Sequence, residues 1–336
     1  MGKIKYLFSR IKKMDFTRMF SYVDKVAKKT GRSKIIIFFD TVWCGLVYQA
    51  GYVDYDLFEM YNLNRKQRKT IVTRGINNGF IKTYNNPNYN ELFRNKKKFN
   101  KLFQSYLGRK WLDIDHCNLD EMREFLSGLD EVILKPSEGT HGKGIEKLNI
   151  DKKDVERFYV EWKEQYPDYL AEEVVEQNSI MNQLHPDSVN TCRVISLLKE
   201  GTVHIVATYM RIGNGKIVDN FNNGGMVVPV NKETGMVEYP ALDKAGNLFK
   251  VHPLTGTEII GFQLPMFQEA LSLVREAGTI VPQVGLVGWD VAFSTKGPLF
   301  IEANEFPGHD IYQLPPHRTD GIGMLPEFEK ILNGKS

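Results

Sequence analysis

The chain of 336 residues has only three cysteines, Cys44, Cys117 and Cys192, far apart and without a CxxC pair. That spacing excludes a disulfide framework and a cysteine-rich zinc site, and a reducing compartment is the expectation. The histidines are scattered with no HxxxH pair, which argues against zinc from that side too. No serine elbow or placed cysteine is present, so covalent catalysis through an enzyme group is not indicated. An RNP-like aromatic sheet and any recognisable DNA-binding module are lacking, and no nucleic-acid partner is expected. The basic start MGKIKYLFSRIKK is not followed by an apolar core and cleavage site, so it does not read as a signal peptide. Long apolar runs are nearly absent. The nearest is Ile35–Val53, which Asp40 and Gln49 interrupt. It sits at the short end of a membrane span and reads better as a buried helix of a front domain.

At 42% hydrophobic and 25% charged, the composition is globular, which excludes disorder and low-complexity classes. The net charge of +3 hides a split: residues 1–112 hold 24 basic and 7 acidic side chains, and the remainder 20 and 34. Such asymmetry suggests two jobs. Residues 1–34 alone carry eleven Lys/Arg against Asp15 and Asp24. Their apolar residues, Ile4, Leu7, Phe8, Ile11 and then Phe16, Met19, Phe20, Val23, follow helical spacing. This segment reads either as a contact with an anionic membrane surface or as a solvated helix packing on its own domain. The expected location is cytoplasmic, with peripheral attachment at the inner membrane under the first reading.

Residues 1–112 lack β-branched alternation and predict a mostly helical domain. From about residue 130 the texture changes. Strands are predicted at Glu131–Lys135, Ile145–Ile150, Tyr169–Val175, Gly288–Phe293 and Leu299–Ala303. Two more lie in 190–212, with Glu200-Gly201 at the turn. Helices are predicted at 151–166, started by Asp151, and at Leu264–Gly278. The expected class is α/β (α+β), divided at 1–112, 113–188 and 189–336.

Chemistry concentrates in three places. The first is Lys135-Pro136-Ser137-Glu138-Gly139-Thr140-His141-Gly142-Lys143-Gly144. Its glycines let backbone N–H groups approach an anion, and the lysines add charge for phosphate. Gly144 and Ile145 follow Lys143 where a P-loop needs Ser/Thr, so the loop is a strand–loop–strand flap instead. The second is Gly288-Trp289-Asp290 with Ile301-Glu302-Ala303-Asn304. A turn centred on Thr295–Pro298 sets Asp290 opposite Glu302, and Asn304 shares Glu302's face. Buried acids repel unless a cation binds or one is protonated, which points to Mg²⁺, with Mn²⁺ as the alternative. The third is the apolar strand ending Glu172-Glu173-Val174-Val175, whose backbone suits an adenine edge. The loop from Asp219-Asn220 to Gly224-Gly225, rich in amides and glycine, reads as substrate-facing. His141 in the flap and His309 after Pro307-Gly308 are placed to touch phosphate and acceptor; each also reads as a simple loop residue.

The order of these elements resembles the ATP-grasp superfamily. Within it, the chain resembles the sugar-transfer-associated group found with bacterial polysaccharide synthesis. The shared features are Asn95-Lys96, Leu134-Lys135-Pro136 with the Gly-rich loop, His185-Pro186, Val189-Asn190-Thr191-Cys192-Arg193, Met210-Arg211-Ile212-Gly213, Val218-Asp219-Asn220 with Gly224-Gly225, Gly288-Trp289-Asp290, and Ile301-Glu302-Ala303-Asn304 with Pro307-Gly308. They run over roughly residues 55–320.

The resemblance implies an ATP-grasp fold behind a helical N-terminal domain. It implies that Lys96 and Lys135 meet the phosphates of ATP, with Lys97 and Lys98 as competitors for the first role. Ser137 and Gly139–Gly144 would form the flap, and Glu172–Val175 the adenine hinge. Asp290, Glu302 and Asn304 would hold magnesium. Arg193 and Arg211 would face the transferred phosphate or the acceptor carboxylate, while Asn190, Asp219, Asn220, Gly224, Gly225 and His309 would line the acceptor side. No acid in Gln177–Gln183 matches the usual ribose contact. The implied activity is an ATP-dependent carboxylate–amine ligase forming an amide through an acylphosphate, on a small or glycan-linked carboxylate. The alternatives are a phosphotransferase acting on a hydroxyl and a non-catalytic ATP-binding scaffold at the membrane.

Overall fold

The structure is a computed structural model that describes residues 15–139, 144–150, 154–215, 219, 221 and 224–334. Two compact units emerge. One comprises the described residues up to Thr83 together with those from Gly308 onward, and the other is Tyr84–Pro307.

The first unit is helical. Helix α1, Phe16–Thr30, starts at Asp15, whose carboxylate accepts from the Arg18 N–H at 2.9 Å, and stops at Gly31 with φ +70°. Met19, Val23, Val26 and Ala27 face inward. Helix α2, Lys34–Tyr48, buries Ile37, Thr41, Cys44 and Tyr48. The expectation of a buried helix here needs correction. Ile35, Ile36, Phe39, Trp43, Leu46 and Val47 are exposed, because the helix is apolar nearly all round and, among the described residues, only one side meets a neighbour. Among the described residues no helix is long and apolar enough to cross a membrane. The chain's end belongs to this unit: Phe328, in the helix Leu325–Leu332, stacks on Phe80 at 4.5 Å.

The helical front therefore ends near Thr83 and not at 112. Residues 84–112 join the sheets for identifiable reasons. The Asn85 side chain donates to the carbonyls of Leu286 and Glu305 and accepts from the Leu286 N–H. Phe93, Phe99 and Phe103 pack with Trp289 and Phe300 in the main core.

Within the second unit, α3 (Lys96–Leu102) follows Asn95, whose side chain caps it by accepting from the Lys98 N–H. A small antiparallel sheet comprises β1 (Trp111–Asp113), β2 (Glu131–Pro136), β3 (Glu146–Asn149) and β4 (Tyr169–Glu173), in the order β1-β4-β2-β3. Two helices go with it, α4 (Leu119–Leu126), with an Asn118/Glu121 capping box, and α5 (Val155–Gln165). The latter begins at Asp154; the predicted start at Asp151 lies outside the described residues. The predicted strand–loop–strand over 131–150 is present as β2 and β3.

Among the described residues the larger sheet has seven strands, in the spatial order β11 (Gly297–Asn304), β10 (Leu286–Ser294), β5 (Thr191–Lys199), β6 (Thr202–Ile212), β7 (Met226–Val230), β8 (Ala241–Asp243) and β9 (Leu248–Phe249). The β5–β6 turn falls on Glu200 and Gly201, both at positive φ, the pairing a two-residue hairpin turn requires. Strand β10 is buried throughout, which explains why its neighbours in sequence are so apolar. Helix α6, Phe267–Ala277, lies within the helix predicted for 264–278 and packs on β5, β6 and β11.

Candidate functional site

Every described residue assigned to nucleotide or metal lies in the second unit. The hairpin register places Asp290 directly across from Glu302, and Gly288 across from Asn304. On its other side Asp290 pairs with Arg193, and Arg193 with Tyr209. One row of side chains thus crosses four strands: Glu302, Asp290, Arg193 and Tyr209. Side chains in such a row are close neighbours. Gly288 sits beside it for a reason. A Cβ there would lie 3.3 Å from the Arg193 Cδ and Nη1, in the space the guanidinium passes through.

Asp290 is clasped from two directions. Its Oδ1 accepts from Arg193 Nε, and its Oδ2 accepts from Arg193 Nη2 at 2.7 Å and Arg211 Nη1 at 2.6 Å. Burial alone would raise this carboxyl, but the two guanidinium groups outweigh it and hold it at about 2. The three expected oxygen ligands therefore differ in availability. Asp290 is a fixed anion with limited capacity left on Oδ1, while Glu302 and Asn304 are half-buried and reachable. Burial first, and then the charge of Asp290, push the Glu302 carboxyl upward. A carboxylate so destabilised and open to one side suits a cation. The adjacent Asn304 amide, with its nitrogen 3.5 Å from Glu302 Oε1, offers a further oxygen.

Asp219, expected at the acceptor, instead braces this cluster. Its carboxylate accepts from the Thr191 N–H at 3.1 Å and hydroxyl, and from Arg211 Nη2 at 2.8 Å. Arg193 and Arg211 are therefore positioned by two aspartates and do not hang free. Asn190 is corrected as well. It is fully buried, donating to the Met181 and His185 carbonyls and accepting from the Gly213 N–H, with Gln177 as its other partner. Its amide is consumed by loop packing. Gly224, at φ +100°, and Gly225 lead into β7; Asn220 lies outside the described residues.

On the smaller sheet, Lys135 donates to Glu172 Oε2 at 2.5 Å. Arg109 grips the same carboxylate through Nε and Nη2, both at 3.0 Å, and Asn100 adds a bond of 2.8 Å. Burial opposes ionisation of Glu172, yet Arg109 and Lys135 hold its carboxyl well below the usual range. The Glu172 side chain is thus an ion-pair hub, while the hinge expectation concerns the backbone of Glu172–Val175. Glu173 is likewise engaged: its N–H donates to the Lys110 carbonyl and its carboxylate accepts from the Lys110 N–H. Val174 and Val175 continue past the strand end, half-buried.

The three consecutive lysines separate cleanly. Lys97 pairs with Asp113, Asp115 and Asp168, and Lys98 with Glu91. Lys96 is the one turned to the Gly-rich loop. Its N–H donates to the Ser137 carbonyl at 2.7 Å and its Nζ to the Gly139 carbonyl at 3.2 Å. Burial lowers the Lys96 ammonium, and Glu302 is the leading charge that opposes this. Ser137 completes the geometry: its hydroxyl is fully buried with no partner among the described residues. An orphaned hydroxyl between Lys96 and the end of β2 fits an anionic oxygen. Gly139 and Gly144 stand at φ +127° and +72°, conformations that glycine adopts without strain. His141, Gly142 and Lys143 lie outside the described residues.

His309 belongs to the first unit and is corrected as an acceptor residue. It is buried, with Nε2 3.0 Å from Asp54 Oδ1 and its ring edge-on to Phe58. Sequence reasoning missed Arg109, which also donates to the Phe300 carbonyl at 2.6 Å and so ties the smaller sheet to β11. Its only sequence signal was membership of a basic stretch.

A family model described as sugar-transfer associated ATP-grasp matches residues 75–331. Among curated proteins, none matches. Several solved structures are similar at low identity. The ATP-grasp ligase PsnB, complexed with minimal precursor, is 12% identical with a TM-score of 0.42, over 85% of this chain and 76% of that one. D-alanyl-alanine synthetase A from Vibrio cholerae O1 is 10% identical with a TM-score of 0.40, over 72% and 65%. An L-amino acid ligase from Bacillus licheniformis is 14% identical with a TM-score of 0.40, over 72% and 48%. The chain spans less than two thirds of the length of the latter two.

Proposed function

The chain belongs to the sugar-transfer associated ATP-grasp family, and from that premise we propose that it is an ATP-dependent carboxylate–amine ligase. The observation that carries this reading is Lys96, turned to the Gly-rich loop beside the orphaned Ser137 hydroxyl and within electrostatic reach of both Glu302 and Lys135. Two cations and a hydroxyl suit the phosphates of ATP. Glu302 and Asn304, with Asp290 Oδ1 behind them, would hold Mg²⁺, which when bound neutralises phosphate charge and orients the γ-phosphoryl group.

The chain's own residues then have defined tasks. Lys96 lies under the Gly-rich loop and meets the phosphate oxygens. Arg193 and Arg211, held in place by Asp290 and Asp219, offer their remaining N–H donors to an acceptor carboxylate. The carboxylate oxygen attacks the γ-phosphorus and the bond to the β-phosphate oxygen breaks, releasing ADP. An amine attacks the acyl carbon of the resulting mixed anhydride, loses its proton, and phosphate departs as the amide forms. None of these steps needs an enzyme nucleophile. The family's description supports a sugar-linked carboxylate, such as a uronic acid, joined to an amino acid or amino sugar.

The test is release of ADP and phosphate from ATP and Mg²⁺ in the presence of sugar acids paired with amines, using carboxylate labelled with heavy oxygen. Label appearing in phosphate supports the ligase. Phosphate retained on a hydroxyl product, without label transfer, would establish the phosphotransferase alternative in its place.

A further inference from the structure

Helix α2 is apolar on two opposite sides, and the described residues of the first unit cover only one. Ile35, Ile36, Phe39, Trp43, Leu46 and Val47 project away from the core at 45–69% exposure. At 3.6 residues per turn these six positions fall within an arc of about 120°, on the side away from Ile37, Thr41, Cys44 and Tyr48. The patch extends onto α1, where Phe16 and Phe20 are exposed and Phe20 stacks on Phe38 at 5.7 Å. Contiguous exposed apolar surface of this kind marks an interaction site.

We propose that this face seats the protein on an anionic phospholipid bilayer, with α2 lying in the plane of the headgroups. Three observations select that occupant. The helix has fifteen residues, about 22 Å, too short to cross a hydrocarbon core of roughly 30 Å. Its exposed side chains include Phe and Trp, which favour the water–lipid boundary. The surrounding sequence is strongly basic: residues 1–34 carry eleven Lys/Arg against two Asp, and although Lys25, Lys29 and Lys34 pair with Asp56, Glu59 and Asp24, Arg32 and Lys34 stand exposed at the start of α2. The one acid in the helix, Asp40, is neutralised by Arg68 through bonds of 2.6 and 2.7 Å. A second copy of the chain would bring two such basic segments face to face, which charge repulsion opposes. An anionic surface reverses that sign. The apolar face and the cations together supply the two signals that stable peripheral attachment takes.

The experiment uses the full chain with vesicles of phosphatidylcholine alone or with roughly one-third phosphatidylglycerol, at low and high salt. Wild type is expected to co-sediment with the anionic vesicles, more weakly as salt rises. Phe39→Glu combined with Trp43→Glu should weaken this about tenfold or more. Both positions are exposed, and an unchanged circular dichroism spectrum checks the fold. Phe39→Leu should retain binding. Brominated acyl chains should quench the fluorescence component that Trp43→Phe removes. Equal binding by wild type and the double variant overturns the proposal, as does absence of quenching at Trp43. Wild type that ignores vesicles but forms a dimer abolished by the double variant overturns it in favour of self-association.

Discussion

Asp290 and Glu302 face each other across adjacent strands, yet their carboxyl groups are driven in opposite directions. Arg193 and Arg211 bind the first and hold it ionised. The second meets that fixed negative charge at close range and is pushed toward the neutral form. One hairpin register thus creates both a permanent anion and an acid whose ionisation a cation would favour.

This asymmetry makes Glu302 the sensitive position. Glu302→Gln should reduce ATP turnover by about a hundredfold or more, the scale seen when a group stabilising developing charge is removed. Raising Mg²⁺ should not restore it. Initial rates of ADP release over a magnesium titration, with thermal melting to confirm folding, provide the check.

Lys96 and Lys97 should behave differently despite adjacency. Lys96→Ala should raise the KM for ATP at least tenfold with little loss of stability, because its ammonium faces the flap. Lys97→Ala should leave KM within twofold while lowering stability by about 1–3 kcal/mol, because it leaves Asp113 and Asp115 without their shared cation. Steady-state kinetics and urea denaturation separate the two.

Arg193→Met should cost about 3–5 kcal/mol of stability, since it strips the buried Asp290 of one guanidinium. Arg193→Lys should recover only part of that, because an ammonium cannot span both carboxylate oxygens as the fork does. Urea midpoints for the three proteins decide it.

Glu172 carries a pH signature. Its carboxyl is depressed in the folded chain, so the stability it contributes is present above the unfolded value of about 4.3 and is lost as pH falls below that toward the folded value. Glu172→Gln should be about 3 kcal/mol less stable than wild type at neutral pH. The gap should narrow steadily from about pH 5 downward. A gap that is constant across that range would contradict the ion-pair hub.

His309→Ala should lower the melting temperature while leaving KM for any acceptor within twofold. Its ring is held by Asp54 and Phe58 inside the first unit.

Much of the hairpin was legible beforehand because local rules write it. Alternation with period two, a Ser-Thr-Lys-Gly-Pro turn and apolar flanks were enough to set Asp290 opposite Glu302. The same holds for the Glu200-Gly201 turn and for the strand–loop–strand around Gly139–Gly144. A helix at α2 was legible too, but which of its sides is buried was not. An all-round apolar helix has no periodicity that says which side finds a partner.

By itself, then, the sequence determined the order of the elements, the strand registers set by short turns, and the residue types that handle phosphate and metal. Only tertiary structure decided which charges meet. Arg193 and Asp290 are 97 residues apart, Arg109 and Glu172 are 63 apart, and Asp54 and His309 are 255 apart. No local pattern links such pairs, because each forms where separate strands or loops come together in space. That pairing made the Glu172 carboxylate an ion-pair hub and a presumed acceptor histidine part of the core, and it singled out Lys96 among three consecutive lysines.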